Sequence, residues 1–301
     1  MGIIRAICIS EVRGIQKHPV EEVRLDPQWG IVGDAHGGNW HRQVSLLGLE
    51  AQVDFGAFGE NLVVEGIDFR TLPVGTLLAA GEVLLEMTQI GKDCHSHCAI
   101  YQAVGDCIMP REGVFSRVLR GGTLRVGEEM TIVERKEPRP WQAAVITLSD
   151  KGAAGQREDK SGPAIARRLR AEGYDVVEQL LLPDDQGALK KALIRLADQR
   201  QLDLILTTGG TGFGPRDVTP EATLAVATRT APGIAEAIRA ASMAITPWAM
   251  LSRGASVIRG KTLIVNLPGS PKAVEESMDV FLPQMPHALG LLRGEDGECA
   301  R

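Results

Sequence analysis

The stretch Thr207-Thr-Gly-Gly-Thr-Gly-Phe-Gly-Pro-Arg-Asp-Val-Thr-Pro220 decides the fold of the segment around it. It follows the apolar run Leu202–Thr207, which has the length of a buried strand, and it precedes helical spacing near Glu221–Ala227. The same strand–loop–helix order repeats on both sides. Ala143–Leu148 reads as a strand and Pro163–Ala171 as a helix. Val176–Leu182 reads as a strand and Gln186–Asp198 as a helix. Farther on come a helix at Ile234–Met243, a strand at Lys261–Asn266, and a long closing helix at Pro271–Leu289 broken by prolines. Such alternation predicts an α/β domain with a largely parallel sheet, whose ligands bind at the carboxyl ends of the strands.

Four loops fall at those ends. Thr147-Leu-Ser-Asp-Lys151 continues to Glu158-Asp-Lys-Ser-Gly162, where Ser161 fits a helix N-cap. Leu182-Pro-Asp-Asp185 and Asn266-Leu-Pro-Gly-Ser-Pro-Lys272 are the second and fourth. In the third, the quoted stretch, Gly209, Gly210, Gly212 and Gly214 leave backbone N–H groups open to an oxyanion. Neither the P-loop nor the Rossmann spacing is present. Asp217 beside phosphates would be repelled unless a hard cation lies between them, which suggests Mg²⁺, with Asp184 or Asp185 as the second carboxylate. The competing reading makes the glycines a tight turn and the two acids helix caps.

The run Glu134–Trp141 is dense in charge, holds two prolines and has no periodicity. It predicts a linker near residues 136–142, dividing a domain at 1–135 from one at 143–295. The first domain is rich in Gly and short apolar runs, with strands expected at Leu77–Ala80, Val83–Met87 and Met130–Val133. It reads as a mostly-β, barrel-like domain with short helices. Gly75–Glu82 and Gly122–Glu128 resemble each other as strand–turn corners, which convergent turn chemistry explains better than a repeat.

Across 301 residues, 44% are apolar and 24% charged, which excludes a predominantly disordered chain. A net charge of −5 and an aromatic content of 4% argue against nucleic-acid binding. No apolar run is long enough to span a membrane, and no signal peptide is evident. The odd set Cys8, Cys94, Cys98, Cys107 and Cys299 suggests free thiols and a cytoplasmic, reducing setting. Cys94-His-Ser-His-Cys98 admits three readings. A zinc site lacks the usual ligand spacing. The thiols are otherwise buried and inert, or serve as a molybdenum ligand or persulfide carrier, with Lys92 and the histidines lowering the thiol pKa.

The run Leu204–Thr223 resembles the signature of the molybdopterin adenylyltransferases, the MogA and gephyrin G-domain family. Ile245–Gly254, Leu267–Val274, Thr147–Asp150 and Leu182–Asp185 resemble that family too, so the likeness covers about residues 143–292. It implies transfer of AMP from ATP to the terminal phosphate of molybdopterin, release of pyrophosphate, and a homotrimer. By position, Asp217 and Asp184 would be the Mg-ATP acids. Gly209, Gly210, Thr211 and Gly212 would wrap the nucleotide phosphates. Ser149, Asp150, Ser252, Gly269, Ser270 and Lys272 would line the nucleotide and molybdopterin pocket. Because a phosphate nucleophile needs no deprotonation near neutral pH, no general base is expected.

Gly33–His36, His41–Leu47, Phe58–Leu62, Leu72–Gly75 and Thr88–Cys98 resemble a MOSC domain, found at the C-terminus of molybdenum cofactor sulfurases. That likeness implies a β-barrel-like fold, molybdenum cofactor binding and a characteristic cysteine, Cys94 or Cys98. His36, Arg42, Asn61 and Lys92 would be the cofactor contacts. Together the halves imply a protein of molybdenum cofactor biosynthesis, with a molybdenum-insertion protein and molybdoenzymes as further partners. The alternatives are a non-catalytic cofactor carrier and a MOSC-based molybdenum oxidoreductase.

Overall fold

The computed structural model describes residues 1–51, 54–92, 99–105, 107–135 and 138–295. The chain divides into two compact units, Met1–Arg139 and Pro140–Arg301.

The first unit is a barrel. In chain order its strands are β1 (Gly2–Ile9), β2 (His18–Val20), β3 (Glu22–Asp26), β4 (Gly30–Ile31), β5 (Val44–Gly48), β6 (Leu62–Glu65), β7 (Leu77–Ala80), β8 (Val83–Ile90), β9 (Val114–Arg120), β10 (Gly122–Arg125) and β11 (Glu129–Val133), with one short helix, α1 (Ala99–Val104). The order β11-β7-β8-β9-β5-β6-β1 closes because β1 also pairs with β11, through Gly2↔Met130 and Ile3↔Glu129. Closure leaves no open edge among these seven strands. β2 hangs on β1, and β10-β3-β4 form a separate small sheet. Alternation decides which side chains go inside. On β9, Val114 and Val118 enter the apolar core with Ile4, Leu46, Leu62, Leu85 and Met87, while Arg117 between them faces Glu86. The two similar corners are alike only locally. β7 lies in the barrel, whereas β10 pairs with β3 outside it.

The second unit contains β12 (Gln142–Leu148), β13 (Asp175–Leu182), β14 (Leu204–Thr208), β15 (Arg229–Thr230), β16 (Ser256–Arg259) and β17 (Thr262–Leu267). Its helices are α2 (Asp150–Ala153), α3 (Ser161–Ala171), α4 (Gln186–Ile194), α5 (Thr219–Ala225), α6 (Pro232–Met243), α7 (Pro271–Phe281) and α8 (Met285–Arg293). The sheet order is β13-β12-β14-β17-β16-β15. The first four strands are parallel, and β16 and β15 add an antiparallel edge that the sequence pattern does not announce. Apolar side chains of α3, α6, α7 and α8 cover one face. Those of α4 and α5 cover the other. Burial on both faces explains why β12 and β14 read as unbroken apolar runs. The expected closing helix is two helices, separated by a 3₁₀ turn at Leu282–Gln284, because Pro283 and Pro286 cannot donate to a continuous ladder. No helix among the described residues is long and apolar enough to cross a membrane.

Candidate active site

Loops after the four parallel strands β12, β13, β14 and β17 meet around one open cleft of about 690 Å³, within the range of small-molecule sites. Ser149, Asp184, Gly209, Gly210, Asp217, Gly269 and Ser270 all line it. The carboxyl ends of the parallel strands bring them together, from positions far apart in the chain.

Two glycines shape the floor. Gly209 and Gly210 have φ of +93° and +63°, which disfavour any residue bearing a Cβ. A Cβ on Gly209 would also sit 2.4 Å from the Leu148 carbonyl oxygen, and one on Gly210 2.4 Å from Thr219 Oγ1. Thr219 secures the turn, donating from Oγ1 to the Gly209 carbonyl (2.9 Å) and from its N–H to the Gly210 carbonyl (3.1 Å). Beneath it, Asn266 donates from Nδ2 to Thr207 and Thr223 Oγ1, each at 2.9 Å, so the buried polar floor is satisfied.

The structure separates the two acids of Leu182–Asp185. Asp185 caps α4 by accepting from the Ala188 N–H at 2.7 Å. Asp184 faces the cleft, and its Oδ2 accepts from the Asp150 N–H at 3.0 Å. Asp150 returns the bond, its Oδ1 accepting from the Asp184 N–H at 3.0 Å. Asp150 also pairs with both arms of the Arg216 guanidinium, at 2.8 and 3.0 Å. The hydrogen bond from Arg216 and the Asp184 N–H hold its carboxyl below the usual carboxylate range. Asp217 does not cap α5. Its Oδ2 accepts from the Gly214 N–H at 2.8 Å, within its own loop. Asp217 also lines a shallower recess of about 450 Å³ with Phe213, Glu221 and Arg253.

Ser161 is not the cap of its helix. Asp159 fills that role, its Oδ1 accepting from the Ser161 and Gly162 N–H groups at 3.0 Å. Ser161 Oγ instead donates to the Gly269 carbonyl at 2.9 Å, tying α3 to the loop after β17. Ser149 and Ser270 cap α2 and α7. The N-terminus of α7 therefore opens onto the cleft, where its dipole favours an anion.

Asp150, Thr211, Gly212, Ser252 and Lys272 do not line the cleft. The loop turns away after Gly210, so that Thr211 and Gly212 carbonyls accept from Arg253. Ser252 Oγ accepts from the Gly254 N–H. Lys272 projects into solvent 3.8 Å from Glu276. Conversely, Arg157 and Lys160 line the cleft as exposed cations and were not singled out from the sequence. Only their position on either side of Asp159, at a strand-end loop, could have marked them. Arg253 and Arg216 were also missed as contributors.

In the first unit, His36 and Arg42 converge on Trp40. The Trp40 indole N–H donates to the His36 carbonyl at 2.8 Å, and the Arg42 guanidinium lies 4.8 Å from its ring centre. His36 Nδ1 is 3.4 Å from Asp34. Asn61 is placed elsewhere. It is buried, its Oδ1 accepts from Ser45 N–H and Oγ, and its Nδ2 donates to the Cys8 carbonyl. Its amide joins strands, which leaves it poorly suited to cofactor contact. Lys92 is half-buried, two residues after the end of β8. Cys94 and Cys98 lie outside the described residues. Cys8 and Cys107 are buried, and burial, aided by Glu60, pushes the Cys8 thiol up to about 12.

Comparison with known proteins places both halves. Residues 144–287 match the family described as a probable molybdopterin binding domain, and residues 26–131 match the MOSC domain. The chain is similar to a molybdopterin adenylyltransferase of Helicobacter pylori strain J99, with 40% identity over 152 residues, spanning 50% of this chain and 86% of the relative. A molybdopterin adenylyltransferase of Haemophilus influenzae is 43% identical over 137 residues, 45% of this chain and 70% of its own. Among solved structures, the molybdopterin biosynthesis enzyme MoaB of Thermus thermophilus is 47% identical, covering 52% of this chain and 99% of its own, with a TM-score of 0.49.

Proposed function

The chain belongs to the molybdopterin adenylyltransferase family, and we propose that its second domain transfers AMP from ATP to the terminal phosphate of molybdopterin, releasing pyrophosphate. One observation carries this reading. Asp184 and Asp217, from two different strand-end loops, face one cleft lined by the half-buried Gly209 and Gly210. The two recesses that share Asp217 suit a reaction of two substrates.

Mg²⁺ fits the donor set. No cluster of three or more acids, histidines and cysteines is present among the described residues, but Mg²⁺ bound with phosphates needs only one or two carboxylates. Asp184 and Asp217 would hold it, and its charge would neutralise the phosphates. The protein's own part is positioning. Gly209 and Gly210 admit phosphate oxygens to the backbone, and the α7 N-terminus favours the anion. Arg157 and Lys160 add positive charge at the rim. Incubation of the purified protein with molybdopterin, ATP and Mg²⁺ should yield adenylylated molybdopterin and pyrophosphate in equal amounts. Absence of both products would overturn the reading.

The MOSC domain would bind, carry or sulfurate the cofactor through Cys94 or Cys98, with His36, Arg42 and Lys92 as contacts. Cys94→Ser and Cys98→Ser should each leave adenylyl transfer at the wild-type rate. One of them should lose molybdenum or persulfide. Equal loading of both variants and wild type would remove the cysteine from the account.

The second domain would assemble as a homotrimer. Segment 243–251 exposes Met243, Ile245, Trp248, Met250 and Leu251, and Trp248 is 75% accessible. Closed cyclic symmetry is the usual way to cover such apolar surface. Light scattering should report about 97 kDa, three copies of the 32.3 kDa chain. A 32.3 kDa particle at all concentrations would refute the trimer. A reducing, cytoplasmic setting accords with the buried thiol of Cys8.

A further inference from the structure

We propose that Arg253 is a positioning residue: its guanidinium clamps the Gly-rich loop and so holds Asp217 toward the cleft. For its kinetic consequence the inference rests on the adenylyltransferase reading.

A loop with four glycines between positions 209 and 214 has much conformational entropy and little rigidity of its own. Thr219 ties the start of the loop through the Gly209 and Gly210 carbonyls, and around Asp217 the internal bonds form one small ring. The Gly214 N–H donates to Asp217 Oδ2, and the Asp217 N–H donates to the Gly214 carbonyl at 2.9 Å. That ring sets the local turn but does not anchor it. The exposed Arg216–Asp150 pair tethers the loop at one point, and Arg253 anchors the turn at several. Its backbone N–H donates to the Thr211 carbonyl at 3.0 Å and its Nε to the Gly212 carbonyl at 2.6 Å. Nη2 donates to the Asp217 carbonyl, and Nη1 pairs with Glu221 on the first turn of α5.

One planar group thus grips both ends of the turn carrying Asp217 and joins them to the helix that follows. Room for movement is small. A Cβ on Gly212 or Gly214 would lie only 2.9 Å from Asp217 Oδ2. Released from Arg253, the turn can shift Asp217 by an ångström or more, a displacement that costs about 100-fold in rate where geometry governs the reaction. The fork geometry is specific to arginine, because lysine's three donors sit on one nitrogen, whereas here three separate nitrogens each meet an acceptor.

The test uses the full-length chain with Arg253→Ala and Arg253→Lys. Hydrogen exchange of the peptide covering 209–218 should quicken in both variants, with exchange in β12 and the first domain unchanged. In adenylyl transfer, kcat should fall about 100-fold in Arg253→Ala with a much smaller change in KM for ATP. Arg253→Lys should recover little of the loss, and added guanidinium should restore part of the Arg253→Ala rate. Unchanged exchange in the loop would overturn the clamp. So would a loosened loop with wild-type kcat, or full activity in Arg253→Lys. If the wild-type protein forms no adenylylated product, the adenylyltransferase reading is what fails, and loop exchange alone decides the clamp.

Discussion

Asp217→Ala should lower adenylyl transfer by about 10²–10³-fold while molybdopterin binding survives. The magnitude is that of losing one group that stabilises charge in the transition state, roughly 10²–10³ in kcat, here a carboxylate that would hold the Mg²⁺ neutralising the phosphates. Alanine also deletes the acceptor for the Gly214 N–H, which confounds charge with loop shape. Asp217→Asn separates them. The amide oxygen still accepts from Gly214, so the turn is retained and only the charge is lost. The expected result is that Asn behaves almost as Ala does in kcat. Recovery of near wild-type turnover in Asp217→Asn would mean that Asp217 matters as a turn-former and not as the charge in the cleft. Molybdopterin binding, followed by fluorescence quenching in the absence of ATP, should be within a few-fold of wild type in both variants.

Lys17→Met should be the most destabilising single change in the first domain. Lys17 and Asp34 form a fully buried ion pair at 2.6 Å, with side-chain exposures of 0% and 1%. Asp34 further accepts from the Ser10 N–H at 3.1 Å and the His36 N–H at 2.9 Å, and the fully buried Glu60 lies nearby, accepting from the Phe58 N–H at 3.0 Å. Methionine fills the space of the lysine stem but strands the Asp34 carboxylate without its cation. Breaking a buried pair from one side costs about 3–5 kcal/mol, which corresponds to a fall in Tm on the order of 10 °C for a domain of this size. Lys17→Met with Asp34→Asn should recover part of the loss, because neither charge is then left alone. A direct sign test exists. Burial pushes Asp34 up, but the hydrogen bonds from His36 and the charge of Lys17 outweigh it and hold the carboxyl below its ordinary range. A carboxyl depressed in the folded state stabilises above its unfolded pKa of about 4, and that stabilisation is lost as pH falls through the folded value. The gap between wild type and Lys17→Met should therefore be full at pH 7 and shrink below about pH 4. A Tm unchanged at pH 7 would show that the pair contributes nothing net.

The α/β class of the second domain was legible from the sequence because it is written in short-range pattern. A strand buried on both faces is an apolar run, a helix packed on one face has a 3.6-residue period, and both signals are complete within ten or so residues. The loops at the strand ends followed from that alternation, and with them Asp184, Asp217 and the glycines, since the topology of a parallel sheet gathers those loops at one edge. In the first domain the turns and several strands were visible for the same reason. Closure of the barrel was not, because the pairing of Gly2 with Met130 joins the two ends of the domain and no local pattern encodes it. The antiparallel edge β16–β15 escaped notice because its two strands have only four and two residues. Which acid of Asp184-Asp185 faces the cleft depended on which one the first turn of α4 claimed as its cap. Arg253 is the sharpest case. It holds the loop of Asp217 from 36 residues away, and in the sequence it is one arginine among many. Local chemistry sets the elements and their turns, whereas the partner of a buried charge or of a loop carbonyl is chosen only when distant segments pack, since that is when the cost of leaving it unpaired arises.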